Sequence, residues 1–310
     1  MLPFLLTSAP IFAVVALGWG AGRMRWVSEA GIAALALYAF DLALPALMTV
    51  LLSRQPLAAS LDLRFLAALL GAGLTVFAGV ALLTASRRGT PLRVVGAHAQ
   101  AATTGNLGFL GVPLLLALLG ERAAGPLAMA VLAEVGCLMP LGILIMSLGR
   151  ERDGVRRGLL REVAGATLGN PIVIGVAAGA AIGLTGARLP APVERFLAFV
   201  GASAGPVALF ALGGSLAGRS LGPHWRSIVG VAVAKLAVYP AVAFALLRAA
   251  GLPGELVAAG VLIAALPTAA NVFVFAQRLS AVPERISAEI LLSTVLGAVT
   301  FPVVAWLVMP

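Results

Sequence analysis

Apolar residues fill this chain in blocks of about twenty, and short polar or glycine-rich stretches separate the blocks. A block of that length crosses the hydrocarbon core of a bilayer as one α-helix, because every backbone polar group in lipid needs an internal partner. The pattern predicts an all-α polytopic membrane protein. Its ten predicted transmembrane helices cover residues 3–22, 30–52, 63–86, 92–119, 124–148, 166–187, 192–217, 226–250, 254–277 and 286–308.

The composition excludes an ordinary soluble domain and several classes of chemistry. Hydrophobic residues make up 61% of the 310 positions and charged residues only 11%, whereas soluble domains carry about 25% charged residues. The net charge of +9 comes without any basic run interleaved with aromatic residues, so no nucleic-acid partner is expected. The single cysteine, Cys137, forms no disulfide framework or zinc set. We expect the lipid bilayer as a partner, and no cofactor and no metal.

The arginines predict the orientation of the chain. Fourteen of them fall in the loops after predicted helices 1, 3, 5, 7 and 9, and six fall on the other side. Cytoplasmic loops hold the excess of positive charge, so both termini should lie outside the cytoplasm. The first block lacks a basic leader and a cleavage site, which indicates a first membrane helix rather than a signal peptide.

The two halves of the chain resemble each other at a displacement of 161 residues. This shift superposes two prolines and two glycines of the first half on the same residue types in the second: Pro10 and Pro171, Pro45 and Pro206, Gly18 and Gly179, Gly22 and Gly183. The match predicts two five-helix repeats, 1–148 and 166–310, joined by a short Arg-rich loop, 149–165. Five is an odd number, so the second repeat is inverted, as in many secondary transporters. The alternative is that glycine and proline are simply frequent in membrane helices.

Predicted helix 4 carries the strongest sign of a discontinuous helix. Gly105, Asn106 and Pro113 fall within nine residues at membrane depth, together with two further glycines. Proline removes a helical hydrogen bond, and unwound backbone at that depth persists only inside protein or along a cavity. The half-helix after the break would offer N–H groups and a partial positive charge to a carboxylate, and Asn106 adds a side-chain donor.

Predicted helix 9 carries a matching interruption at Pro267, Thr268 and Asn271. Paired breaks in corresponding positions of two halves indicate a transport site. Asn106 aligns with Pro267 at a displacement of 161 and with Asn271 at 165, so the register is open by one turn. The alternative is a pair of proline kinks that only shape the helix bundle.

Ionisable residues at membrane depth are costly and are functional candidates. Asp41 in helix 2 is either a proton- or cation-coupling carboxylate or one half of a structural pair, for instance with Lys235. Glu134 in helix 5 is either a proton carrier or a hydrogen-bond partner of the unwound backbone in helix 4. His98 is expected near the membrane interface, and Glu289 is expected to pair with Arg278 or Arg285.

Several of these segments, taken together, resemble the auxin efflux carrier family, which includes the plant PIN proteins and bacterial relatives. The resemblance covers the whole chain and rests on residues 106–113 (NLGFLGVP), Pro45, Asn170 and Pro171, Pro206 with residues 208–210 and Gly213, Lys235, Pro240, residues 265–267 (ALP) and residues 273–276 (FVFA).

This resemblance implies a scaffold of helices 1, 2, 6 and 7 and a transport domain of helices 3–5 and 8–10. Helices 4 and 9 would cross in an X, with the substrate carboxylate at the crossing and an elevator-like shift carrying it. Pro113 matches the family's crossover proline in helix 4. The second proline of helix 9 in the plant proteins is replaced here by Val272. The protein is expected in a bacterial cytoplasmic (inner) membrane, as a homodimer.

The predicted function is a secondary transporter, an efflux carrier for a small organic anion such as indole-3-acetate or a dicarboxylate. The alternative is a proton- or sodium-coupled symporter of the bile acid type, and a channel also stays open. No nucleotide-binding motif and no HExxH, paired intramembrane Asp or Ser/His arrangement is visible, so an enzyme is not expected.

Overall fold

The computed structural model describes residues 1–55, 61–148, 165, 167–220 and 224–309. These residues are all helical apart from turns and one isolated backbone bridge. The predicted Arg-rich loop, 149–165, lies outside the described residues except for residue 165. The all-α class predicted from the sequence is therefore confirmed for the described part of the chain.

Seven helical runs in the described residues are long and apolar enough to cross a membrane: Leu2–Arg23, Glu29–Ser53, Leu63–Ala85, Leu107–Leu148, Ala191–Leu216, Trp225–Ala249 and Pro283–Val308. Two shorter apolar helices are Pro171–Thr185 and Gly254–Ala264. The run Leu107–Leu148 has 42 residues, a helical length of roughly 63 Å and about twice the hydrocarbon core. The 3₁₀ turn Gly120–Ala123 interrupts this run, and Gly120 adopts a φ of +61°. The total of ten helices stays a prediction.

The α-helices are numbered here in chain order. They are α1 (Leu2–Arg23), α2 (Glu29–Tyr38), α3 (Leu44–Ser53), α4 (Leu63–Ala85), α5 (Leu92–Thr103), α6 (Val112–Leu119), α7 (Ala124–Ala133), α8 (Met139–Leu148), α9 (Pro171–Thr185), α10 (Ala191–Ala202), α11 (Ala204–Leu216), α12 (Trp225–Val233), α13 (Tyr239–Ala249), α14 (Gly254–Ala264), α15 (Asn271–Arg278) and α16 (Pro283–Val308).

Four π-helical turns among the described residues each lead directly into an α-helix whose second residue is proline. The turns are Ala39–Ala43, Leu107–Gly111, Glu134–Leu138 and Ala234–Val238, and the prolines are Pro45, Pro113, Pro140 and Pro240. Proline donates no N–H and its ring clashes with the carbonyl four residues earlier. The wider π turn makes room for the ring, and residues such as Leu44 donate to the carbonyl five residues back. These prolines therefore sit in continuous helix.

The chain divides into two compact units, and each takes segments from both halves of the sequence. The first unit comprises Met1–Leu63, Leu107–Val131 and Gly169–Gly218, and the second comprises Arg64–Asn106, Leu132–Leu168 and Arg219–Pro310. The first unit contains α1–α3, α6 and α9–α11, and the second contains α5, α8 and α12–α16. The compact units are not the two predicted repeats, so the repeat boundaries stay a prediction.

Two close helix crossings hold the first unit together. A Cβ atom at Gly18 of α1 would overlap the carbonyl of Phe210 in α11, and one at Gly179 of α9 would lie 2.7 Å from the carbonyl oxygen of Thr49 in α3. Glycine allows such backbones to approach, which is the usual way for membrane helices to pack. A shift of 161 residues converts the first contact into the second.

Candidate functional site

Two helices of the second unit end abruptly and their unwound residues bond to each other. Helix α5 ends at Thr103 and α14 ends at Ala264. Gly105 and Thr268 then form an isolated antiparallel bridge. The Asn106 N–H donates to the Pro267 carbonyl at 2.8 Å, and the Ala269 N–H donates to the Thr104 carbonyl at 3.0 Å. We call residues 104–106 and 267–269 the paired breaks.

Backbone groups released by the ends of two helices need new partners when they are buried, and these segments supply partners to each other. The predicted interruptions of helices 4 and 9 therefore coincide with real breaks that meet in space. Asn106 and Pro267, which bond directly, are also the residues that align at a displacement of 161.

Thr268 is the anchor of the paired breaks. Its side chain is fully buried, and its Oγ1 donates to the Ala101 carbonyl of α5 at 2.9 Å. Its N–H donates to Oγ of Ser293 in α16 at 3.1 Å. Thr268 thus connects its own segment to two helices, and this role is structural. Sequence reasoning missed Ser293, although Glu289, Ser293 and Gly297 form one polar and small-residue stripe at helical spacing.

Two buried residues of opposite charge each bind a backbone group at the end of one of the interrupted helices. Oε2 of Glu134 accepts the Gly105 N–H at 2.8 Å, and Nζ of Lys235 donates to the Ala264 carbonyl at 2.7 Å. The Glu134 side chain is 1% exposed and the Lys235 side chain 0%. The acidic side chain accepts from a backbone N–H and the basic side chain donates to a backbone carbonyl, and the two side chains attract each other electrostatically. The hydrogen bond expected between Glu134 and the helix 4 backbone is present.

The remaining predicted residues of the second unit differ in accessibility. Asn106 is 5% exposed, and Asn271, the first residue of α15, is partly exposed with no hydrogen-bond partner for its Oδ1. Val272 is fully buried, and its N–H donates to the Ala269 carbonyl. Val272 therefore packs inside the protein, as Thr268 does, and its place in the substrate site stays a prediction.

Two predicted site residues belong to the first unit. Pro113 lies at the start of α6, after the π turn Leu107–Gly111, and the break in helix 4 occurs at residues 104–106. Pro113 was expected at the crossing, but the wide π turn accommodates its ring without a break. Asp41 lies in the π turn Ala39–Ala43 and is exposed.

A second buried contact between titratable side chains joins α5 and α16. Nε2 of His98 in α5 is 3.5 Å from Oε1 of Glu289 in α16, with side chains 4% and 0% exposed. His98 was expected at the membrane interface and Glu289 beside Arg278 or Arg285, whereas the structure pairs them with each other. Arg285 instead contacts Nε2 of His224 at 2.9 Å.

Comparison with known proteins assigns the family. The family described as membrane transport protein matches residues 3–305. The chain belongs to this family. The resemblance to auxin efflux carriers is thereby confirmed, and the protein is an integral membrane transport protein. A protein of Rhizobium meliloti named "Putative malonate transporter" is 30% identical over 296 residues, which cover 94% of this chain and 91% of the relative.

For a membrane transport protein, the second unit offers a suitable polar centre. Among the described residues, this centre combines Asn106 of the paired breaks, Asn271 in the first turn of α15, and the buried Glu134 and Lys235 that bind backbone groups at the helix ends. Amide donors and a helix N-terminus suit an anionic group.

Proposed function

We propose that this protein is a secondary transporter of small carboxylates and that malonate or a similar dicarboxylate is its substrate. The substrate carboxylate binds beside the paired breaks, at Asn106 and Asn271. The observation that carries the proposal is the hydrogen-bonded meeting of two interrupted helices inside an apolar membrane protein. The name of the Rhizobium relative supports a dicarboxylate.

The chemistry of the site favours an anion of limited charge. Side-chain amides donate to carboxylate oxygens, and the first turn of α15 contributes a partial positive charge next to Asn271. Glu134 and Lys235 compensate each other, so the site itself adds little net charge. A carboxylate therefore meets directed donors rather than a strong cation, which allows it to bind and to leave.

We further propose ten transmembrane helices in two inverted repeats, 1–148 and 166–310. Two observations support the repeats. The crossing of Gly18 with Phe210 and the crossing of Thr49 with Gly179 are related by 161 residues, and so are the two residues that bond at the centre of the breaks, Asn106 and Pro267. A pseudo-twofold axis through the breaks would produce this relation.

The proposed mechanism is elevator-type alternating access. All of the paired breaks lie in one compact unit, so a rigid movement of that unit would carry the bound substrate with it. We propose both termini outside the cytoplasm of a bacterial inner membrane and a homodimeric assembly. Asp41 and Glu134 are proposed as coupling residues, and Glu134 is the better supported because it bonds the break directly.

Transport by purified protein in liposomes tests the proposal. Solid-supported-membrane electrophysiology should detect saturable currents with malonate and smaller ones with indole-3-acetate, and none with uncharged malonamide. Asn106→Ala should weaken malonate binding about tenfold, the effect of one charge-assisted hydrogen bond. Gln277→Ala changes an exposed residue of α15 and should behave as the wild type.

Equal malonate affinity and rate in Asn106→Ala and wild type would remove Asn106 from the site. Currents that grow linearly with concentration and show no counterflow would indicate a channel. The absence of current with every carboxylate would leave the family assignment intact and refute the proposed substrate class.

A further inference from the structure

The buried contact between His98 and Glu289 makes no hydrogen bond to the paired breaks, and it joins two titratable side chains. Nε2 of His98 lies 3.5 Å from Oε1 of Glu289. Neither carboxylate oxygen of Glu289 has a hydrogen-bond partner among the described residues. A buried histidine beside a buried carboxylate inside a membrane protein is a candidate for proton binding.

The two helices that carry this pair are the two helices that hold Thr268. Ala101, whose carbonyl accepts from Thr268 Oγ1, lies three residues after His98 on α5. Ser293, whose Oγ accepts from the Thr268 N–H, lies four residues after Glu289 on α16. A change in the attraction between His98 and Glu289 therefore acts on the two helices that position the break in helix 9.

Charge counting gives the pair a preferred occupancy of one proton. With one proton the pair has no net charge, either as imidazolium and carboxylate or as imidazole and carboxylic acid. Removal of that proton leaves a buried negative charge, and a second proton leaves a positive one. Both changes are unfavourable at this depth, so each alters the balance of forces between α5 and α16.

The other charged groups around the pair are few. Arg285 acts electrostatically on both members and Arg87 acts on His98. The segments packed against α5 or α16 include α8, which carries no ionisable residue, and five elements that carry further charges: Glu134 and Lys235 in the π turns, Arg226 in α12, Arg278 in α15 and Glu255 in α14. The two helices themselves also carry Arg93 and Glu284. Glu134 and Lys235 are bound to backbone groups at the helix ends, and Arg226, Arg278, Glu255 and Glu284 are exposed. None of these groups replaces the His98–Glu289 contact.

We propose that His98 and Glu289 form a proton-binding site whose occupancy is coupled to the carboxylate at the paired breaks. This inference rests on the proposed function, because it names the proton as the ion whose binding is coupled to carboxylate transport. His98 lies about 10 Å along α5 from Gly105. At that separation a negative substrate raises proton affinity about tenfold, for an effective dielectric constant near 20.

Histidine nuclear magnetic resonance tests the site without any need for transport. The chain has two histidines, so His224→Gln leaves only the His98 signal in protein labelled with ¹⁵N-histidine. The signal should report the gain or the loss of a proton by the pair at the acid or the alkaline end of a titration from about pH 4 to about pH 10. Saturating malonate should raise the pH midpoint of the His98 signal by about one unit, because a tenfold increase in proton affinity corresponds to one pH unit. Glu289→Gln should abolish the displacement by malonate, and Glu284→Gln, an exposed residue of α16, should preserve it.

A His98 signal that is constant over this range, or a malonate displacement that survives Glu289→Gln, would overturn the proposal. Flux provides the second measurement. His98→Gln and Glu289→Gln should lose the stimulation of malonate uptake by a pH gradient, and Glu284→Gln, at an exposed residue of α16, should keep it. Retention of wild-type stimulation in both variants would also overturn it.

Failure of the proposed function gives a different pattern. If wild-type protein neither binds nor moves any carboxylate, the site is judged from the titration without substrate. A His98 midpoint that shifts in Glu289→Gln then supports the proton site, and an unchanged midpoint refutes it.

Discussion

The first unit and the second unit bury different kinds of side chain. Of the fifteen polar or charged residues that are buried in the described structure, the first unit contains Ser8 and Asn170, and the second contains the other thirteen. The first unit relies on glycine crossings such as Gly18 against Phe210. Among the described residues, the second unit contains all the buried ionisable side chains: Glu134, Lys235, His98, Glu289 and Tyr239.

The hydrophobic effect contributes little to the packing of helices in a membrane, and the two units stabilise their helices in two other ways. Small residues allow close backbone packing and provide no polar side chain that could bind an ion or a substrate. Buried polar groups cost free energy unless they are paired, so their presence in one unit makes that unit the candidate for binding substrate or ions. The comparison predicts that substitutions in the first unit change stability and that substitutions in the second also change transport.

The largest effect is expected for Lys235→Met. This change leaves the Ala264 carbonyl without its donor and the Glu134 carboxylate without its compensating charge, which costs roughly 3–5 kcal/mol of unfolding free energy. Thermal unfolding in detergent measures it. The double variant Lys235→Met with Glu134→Gln removes both charges and should recover part of the loss. A double variant that is less stable than Lys235→Met alone would show that the two charges do not compensate each other.

An intermediate effect is expected for Gly18→Ala in the first unit. The new methyl group would overlap the Phe210 carbonyl, and such overpacking costs about 1–3 kcal/mol. Gly20→Ala is the matched control on α1, because no atom lies within 4 Å of a Cβ built there. Gly20→Ala should match or exceed wild-type stability, since alanine favours helix. Malonate affinity should be unchanged in both variants, and a change in Gly18→Ala would contradict the division of roles.

The smallest effect is expected for Ser293→Ala. The change removes the acceptor of the Thr268 N–H, a loss of about 0.5–1.5 kcal/mol that falls on the paired breaks. We expect a rise in the KM for malonate with little change in melting temperature. Thr294→Val is the control, because the neighbouring hydroxyl is buried and has no partner. Equal KM values in the two variants would show that the Ser293 contact does not position the breaks.

The sequence patterns anticipated the helices better than the cause of their interruptions. Blocks of apolar residues located the membrane helices, and the clusters around Asn106 and Pro267 located both breaks. Pro113 follows a π turn rather than the break, and its place in the substrate site stays a prediction. A proline after a π turn and a proline at a break have the same sequence appearance. Only the hydrogen-bond pattern distinguishes them, since the π turn supplies the room that the ring needs.

Apolar length and clusters of glycine, asparagine and proline, which the amino-acid sequence contains directly, were enough to predict an all-helical membrane protein with two interrupted helices. Each of these properties acts within one segment, so it can be read from that segment alone. Only the tertiary structure paired Glu134 with Gly105, Lys235 with Ala264, Thr268 with Ser293 and His98 with Glu289. These contacts join residues 25 to 191 positions apart, and a buried polar group accepts any partner that packing brings within hydrogen-bond distance.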